Sequence, residues 1–210
     1  MNSRSVRALI DGPAGAIETL TDEPTGPVRG TAVIAHPHPL FGGTMENKVV
    51  QTLARAFVQV GYRALRFNFR GVGASAGVHD EGRGETEDML SLIASQAADG
   101  PLALAGFSFG SFIASRVLQS LWDPRPAEAV VLVGTAAIRF DVATLPLQAH
   151  ERTLVIHGEV DDTVPLASVL EWARPQSLPV TVIPGCGHFF HGQLPLLKSL
   201  VVRHLSVPRS

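Results

Sequence analysis

The sequence predicts an α/β protein built on a mostly parallel central sheet, with helices on both faces and an antiparallel hairpin at its N-terminal end. Three observations carry this reading. Short apolar runs rich in Val, Ile and Leu recur along the chain, longer amphipathic segments separate most of them, and a turn of Gly and Pro residues precedes the first alternating unit. Strands alternating with helices demand a parallel sheet covered on both sides, because each crossover helix packs back onto the sheet it left.

The hairpin comes first. Residues 6–10 and 16–20 flank Asp11-Gly12-Pro13-Ala14-Gly15, a composition that suits a turn between antiparallel strands. The runs 31–35, 64–69, 102–105, 129–133, 153–156 and 180–183 are short and almost continuously apolar, as strands buried on both faces are. Helical patterns fill 46–60, 85–97, 111–121, 166–173 and 193–204. The segment 134–152 lies between two predicted strands and is too short for a cap domain, so an open site mouth is expected.

Length and charge bound the rest. The 210 residues are expected to form one domain spanning 1–210. The 17 Lys and Arg nearly balance the 19 Asp and Glu, with no run of like charge, so a phosphate-binding face and a nucleic-acid partner are not expected. Cys186 is the only cysteine and cannot form an intrachain disulfide, while the N-terminus meets Asp11 before any signal-like apolar stretch develops. No apolar run approaches the roughly 20 residues that span a bilayer. A reduced, cytoplasmic setting without membrane association is the expectation.

Directly after the run 102–105 comes Gly106-Phe107-Ser108-Phe109-Gly110, followed by a helical pattern. That strand, turn and helix is the context a G-x-S-x-G nucleophile needs. A sharp turn holds the serine in a strained backbone conformation, and the flanking glycines let strand and helix approach with no Cβ between them. The Ser108 hydroxyl is thereby presented at the sheet edge. The helix that follows brings free N–H groups and a favourable dipole to any negative charge there, with the Phe109 amide as one oxyanion donor.

Carboxylates and imidazoles follow two later strands. After 153–156 the chain reads His157-Gly158-Glu159-Val160-Asp161-Asp162, and after 180–183 it reads Pro184-Gly185-Cys186-Gly187-His188. The order Ser, Asp, His is the one found in α/β-hydrolase triads. Asp161 is the expected acid; Asp162 is its rival, although an acid before a helix also serves as a cap. His188 is the expected base, with His191 one helical turn beyond as the rival, and His157 reads as structural. His36 and His38 face opposite sides if extended, and no cluster has zinc-site spacing, so no metal is expected.

The loop after 31–35 reads His36-Pro37-His38-Pro39-Leu40-Phe41-Gly42-Gly43-Thr44-Met45. Proline has no N–H, so elimination leaves the amides of His38 and Leu40 as a second oxyanion donor. His38 is preferred because it matches the residue after the usual His-Gly pair of this loop. Leu40, Phe41, Phe107 and Phe189 are the expected substrate-binding side chains, suited to apolar acyl or alcohol groups.

With the elbow, His157-Gly158-Glu159-Val160-Asp161 and Gly187-His188-Phe189-Phe190 in hand, the chain resembles the small bacterial α/β-hydrolases described as lid-less carboxylesterases, over nearly its whole length. The block from Arg66-Phe67-Asn68-Phe69-Arg70 to Gly77, together with His36-Pro37 and Gly42-Gly43-Thr44-Met45-Glu46-Asn47-Lys48-Val49, looks like a signature of that subgroup. The resemblance implies hydrolysis of short acyl esters through an acyl-serine, no cofactor, a small-molecule ester as partner, and Ser108, Asp161 and His188 as the triad. Dienelactone hydrolases, a more distant comparison, carry cysteine at the elbow, which speaks against lactone hydrolysis here. An acyltransferase or thioesterase using the same triad and a silent binding protein on the same fold stand as the other readings. Oligomeric state, a homodimer included, is left open.

Overall fold

The hairpin forms where the Gly and Pro residues place it: β1 (Ser5–Gly12) and β2 (Gly15–Asp22) pair antiparallel in the computed structural model, which describes residues 5–207. There follow β3 (Gly30–Ala35), α1 (Lys48–Gln59), β4 (Tyr62–Phe67), α2 (Arg83–Gln96), β5 (Leu102–Phe107), α3 (Phe109–Leu121), β6 (Ala129–Val133), β7 (Thr153–Gly158), α4 (Leu166–Ala173), β8 (Val180–Ile183) and α5 (Leu194–Ser206). The eight strands form one sheet in the order β1-β2-β4-β3-β5-β6-β7-β8. β3 to β8 run parallel to one another, and β2 lies antiparallel against β4. This is the predicted architecture. Between β6 and β7 the chain holds only a short 3₁₀ helix, Leu147–Arg152, and no cap.

Strand alternation divides the core into two layers. On one face Val33, Leu65, Phe67, Leu104, Leu132 and Val155 pack with α2, α3 and α4. On the other, Ala32, Ile34, Ala103, Ala105, Val131 and Ile156 meet α1 and α5. Because both faces are covered, consecutive strand residues are apolar instead of alternating with polar ones. Among the described residues no helix is long and apolar enough to cross a membrane.

Several element boundaries differ from the sequence reading for local reasons. The helix expected from residue 46 starts at Lys48, since the Asn47 side chain accepts the Val49 N–H at 2.9 Å and caps it. The helix expected from residue 111 starts at Phe109, directly behind the elbow. The strand expected to reach residue 69 stops at Phe67, where Asn68 turns away to brace the neighbouring loop.

That brace explains the block from Arg66 to Gly77. Asn68 donates to Glu18 Oε2 at 2.7 Å and accepts the Met45 N–H at 2.9 Å. Ser75 donates to the Asn68 carbonyl and accepts the Glu18 N–H. Arg70 forks onto both oxygens of Asp88 on α2, each at 2.8 Å. The block is a turn that ties the hairpin, the loop after β3 and α2 into one frame.

The topology also sets where a site can lie. From β3 the chain moves to β4 on one side and then crosses to β5 on the other. Connections leaving β3 and β5 therefore diverge, and a crevice opens beyond their carboxyl ends.

Candidate active site

Ser108 stands at that crevice, between β5 and α3, with φ 56° and ψ −115°. A non-glycine residue holds positive φ only where its surroundings impose it, at a cost of about 1–3 kcal/mol. Here they do. The Ser108 N–H is fixed to the Val133 carbonyl at 2.8 Å, and the Ser108 carbonyl accepts the Ser111 N–H at 2.9 Å. A Cβ on Gly106 would lie 2.2 Å from the Gly110 backbone, and one on Gly110 would lie 2.2 Å from the Ala35 carbonyl oxygen. Both glycines are therefore steric requirements of the elbow. The Phe109 and Gly110 N–H groups, the first two of α3, lie ahead of any intrahelical acceptor and point toward this end.

The acid and the imidazole arrive from β7 and β8. Asp161 is buried beyond the end of β7, with Oδ1 accepting the Thr163 N–H at 3.0 Å and the Val164 N–H at 2.7 Å. Its Oδ2 lies 2.7 Å from His188 Nδ1. This contact fixes the tautomer: Nδ1 carries the proton and donates, leaving Nε2 as the free base. Burial opposes the Asp161 charge, but the His188 imidazole and the Val164 amide outweigh it and hold the carboxyl below its ordinary range.

The rivals lie elsewhere. Asp162 is exposed and accepts from the neighbouring Thr163 hydroxyl at 3.4 Å, while His191 is exposed and stacks on Phe189 with centroids 6.0 Å apart. His157 is buried at the end of β7 and donates from Nε2 to the Val164 carbonyl at 2.8 Å. Desolvation depresses its pKa, so it is a neutral ring behind Asp161, and its 3.4 Å approach to Oδ2 is not a charged pair. Cys186 is buried, and desolvation followed by the nearby Asp161 charge raises its thiol pKa, which makes it a poor thiolate.

Ser108, Phe109 and His188 line one cleft of about 270 Å³, together with His38, Phe41, Phe140, Val164 and Phe189. Its loop from β3 is held by His36, whose Nε2 accepts the Phe69 N–H at 3.0 Å while Nδ1 faces the Pro37 carbonyl at 2.6 Å. Burial lowers the His36 pKa to about 4, so the ring is neutral. In the same loop the Leu40 N–H donates to His38 Nδ1 at 3.2 Å and is thereby committed. Among the described residues no such acceptor takes the His38 N–H.

Of the four side chains expected to bind substrate, Phe41 and Phe189 line the cleft and two do not. Leu40 is 69% exposed and lies off the cleft wall, because the 3₁₀ turn Pro39–Phe41 directs it to solvent. Phe107 is fully buried in the face shared with α1 and α5; its ring lies 4.9 Å from that of His188 and supports it from below. Arg139 and Phe140, from the segment after β6, line the cleft unforeseen. Their only sequence signal is a place just past the carboxyl end of a strand.

The family model described as serine aminopeptidase, S33, matches residues 26–154. A lid-less α/β serine hydrolase from Xanthomonas campestris superposes with a TM-score of 0.87 at 31% identity, covering 100% of this chain and 98% of that one. An α/β serine hydrolase homologue from Coxiella burnetii gives 0.83 at 36% identity, covering 98% and 99%. An uncharacterized protein of Rickettsia prowazekii is 41% identical over 86% of this chain and 80% of its own.

Proposed function

We propose that this chain, which belongs to the serine aminopeptidase family of α/β serine hydrolases, cleaves short carboxylic esters with Ser108 as nucleophile, His188 as base and Asp161 as the acid that orients it. The observation that carries this reading is the strained Ser108 sharing one cleft with an imidazole whose Nδ1 is engaged by a buried carboxylate.

The chemistry follows from that arrangement. His188 Nε2 takes the Ser108 proton as Oγ attacks the ester carbonyl, and the same nitrogen returns it to the departing alcohol. The negative carbonyl oxygen falls to the amides of Phe109 and His38; the Leu40 amide, already bonded to His38 Nδ1, is not the donor. Water then attacks the acyl-serine by the same proton route, releasing the acid and restoring Ser108. Asp161 stays ionised throughout, which its depressed pKa favours.

Hydrolysis is preferred to acyl transfer because the mouth is open: Phe41 is 74% and Phe189 46% exposed, with no cap to exclude water. The test is turnover of p-nitrophenyl esters of increasing acyl length, with product analysis in the presence of competing alcohols. Hydrolysis of short acyl esters that Ser108→Ala abolishes is the expected result. Acyl transfer to the alcohol in preference to water would replace the reading with an acyltransferase.

A further inference from the structure

The cleft is aromatic and apolar on most of its wall, with Phe41, Phe109, Phe140, Val164 and Phe189 around Ser108. Among its lining residues Arg139 is the only Lys, Arg, Asp or Glu. An apolar site with one fixed charge orients its ligand by that charge. The polarity of the site toward charged substrates is therefore set by a guanidinium.

Arg139 is anchored at its base and unmatched at its tip. The N–H groups of Arg139 and Phe140 both donate to the Ala136 carbonyl at 3.2 Å, closing a turn just past β6. The Phe140 ring fixes that turn, stacking on Phe112 at 4.9 Å and meeting Phe109 edge-on at 5.1 Å. The Arg139 guanidinium carbon lies 5.8 Å over the exposed Phe41 ring. Arg66 and Arg70 have carboxylate partners in Asp22 and Asp88, whereas no ion pair joins Arg139 to any described carboxylate. The Glu85 carboxylate lies against His79 and accepts two backbone N–H groups, and His38 has its pKa lowered by burial first and then by His79, with Glu85 opposing that effect and Arg139 adding to it.

Resting on the esterase reading above, we infer that this cleft selects esters that carry a carboxylate, and that Arg139 is the specificity residue that pairs with it. A planar guanidinium matches a carboxylate with two parallel hydrogen bonds, and the Phe41 ring beneath it offers an apolar surface to the rest of the ester. A free ammonium, the group an aminopeptidase must recognise, meets the opposite condition: a like charge, with no acidic side chain on the lining to receive it. The preferred order is anionic, then neutral, then cationic ester.

The test compares kcat/KM for monomethyl succinate, methyl pentanoate and the methyl ester of γ-aminobutyrate, which place a negative, no and a positive charge on the acyl side. Acetoxyacetate against propyl acetate places the charge on the alcohol side and identifies which half of the substrate Arg139 reads. The readout is the ratio of anionic to neutral turnover, so a general loss of activity cancels. In wild type one of the two pairs is expected to favour the anion by about tenfold at low salt, shrinking as salt rises. Arg139→Gln brings that ratio close to one, and Arg139→Glu reverses the order of anion and cation. Ratios unchanged by Arg139→Gln in both pairs, with esters still hydrolysed, overturn the role of Arg139 alone. Absence of turnover with every ester overturns the esterase reading and this proposal with it.

Discussion

Two hollows in this molecule differ in the opposite sense from what size suggests. The larger, about 700 Å³, lies between the hairpin and α1 and is lined by Asp22, Glu46, Arg55, Arg66 and Lys198 among others. The smaller, about 270 Å³, lies at the carboxyl ends of β3 and β5. In the larger one several polar groups are paired: Arg66 forks onto Asp22 and donates to the Met45 carbonyl, and Glu46 pairs with Arg7. In the smaller one Arg139 has no ion-pair partner among the described residues, and the strained Ser108 shares the lining with His188. Volume reflects where helices leave the sheet uncovered, whereas chemistry gathers where strand ends converge on a topological switch.

The widest expected separation comes from the small cleft. Ser108→Ala and His188→Ala should each lower kcat/KM for a short ester by on the order of 10³-fold or more while circular dichroism and unfolding midpoint stay near wild type. Asp161→Asn should cost on the order of 10³ to 10⁴-fold, because an amide no longer fixes the His188 tautomer, whereas Asp162→Asn should change turnover little. Equal losses at Asp161 and Asp162 would reassign the acid.

The large groove should respond in stability instead. Removing Asp22 with Asp22→Ala leaves the Arg66 guanidinium, itself only 6% exposed, without its carboxylate, a change that costs about 3–5 kcal/mol. Denaturant unfolding measures this, and turnover per folded molecule should fall far less than for the cleft variants. A catalytic collapse with unchanged stability would mean that the groove is the working site.

His36 gives a smaller, pH-dependent effect on the frame beneath the cleft. Its folded pKa is about 4, against 6.5 for the free side chain, so the unfolded chain binds the extra proton between these values. Stability from this group is complete above pH 6.5 and declines as pH falls toward 4, by roughly 3 kcal/mol over the window. In His36→Gln the protein should be less stable at neutral pH and lose less between pH 7 and 4.5, read from urea midpoints. An unchanged slope would show that other groups carry the acid sensitivity.

Much of the fold was legible because its signals are local. Continuous apolar runs marked the strands, and the elbow announced itself through two glycines whose Cβ atoms would collide with backbone. The Asp161 and His188 neighbourhood was legible because each follows a strand end in the expected chain order. What escaped the sequence depends on contacts between distant segments. Leu40 leaves the cleft because a 3₁₀ turn points it outward, and Phe107 becomes the floor under His188 because strand alternation sends it to the α1 and α5 face. Arg139 gained its place only when the segment after β6 folded over Phe41, an encounter across almost one hundred positions that no short pattern encodes.

The central claim is that the Ser108 oxygen forms the covalent bond to the substrate, and adduct mapping tests it most directly. After reaction with a fluorophosphonate, peptide mass spectrometry should find one added phosphonyl group on the peptide bearing Ser108, lost in Ser108→Ala and formed far more slowly in His188→Ala. A stoichiometric adduct on another residue, or undiminished labelling of Ser108→Ala, would contradict the account.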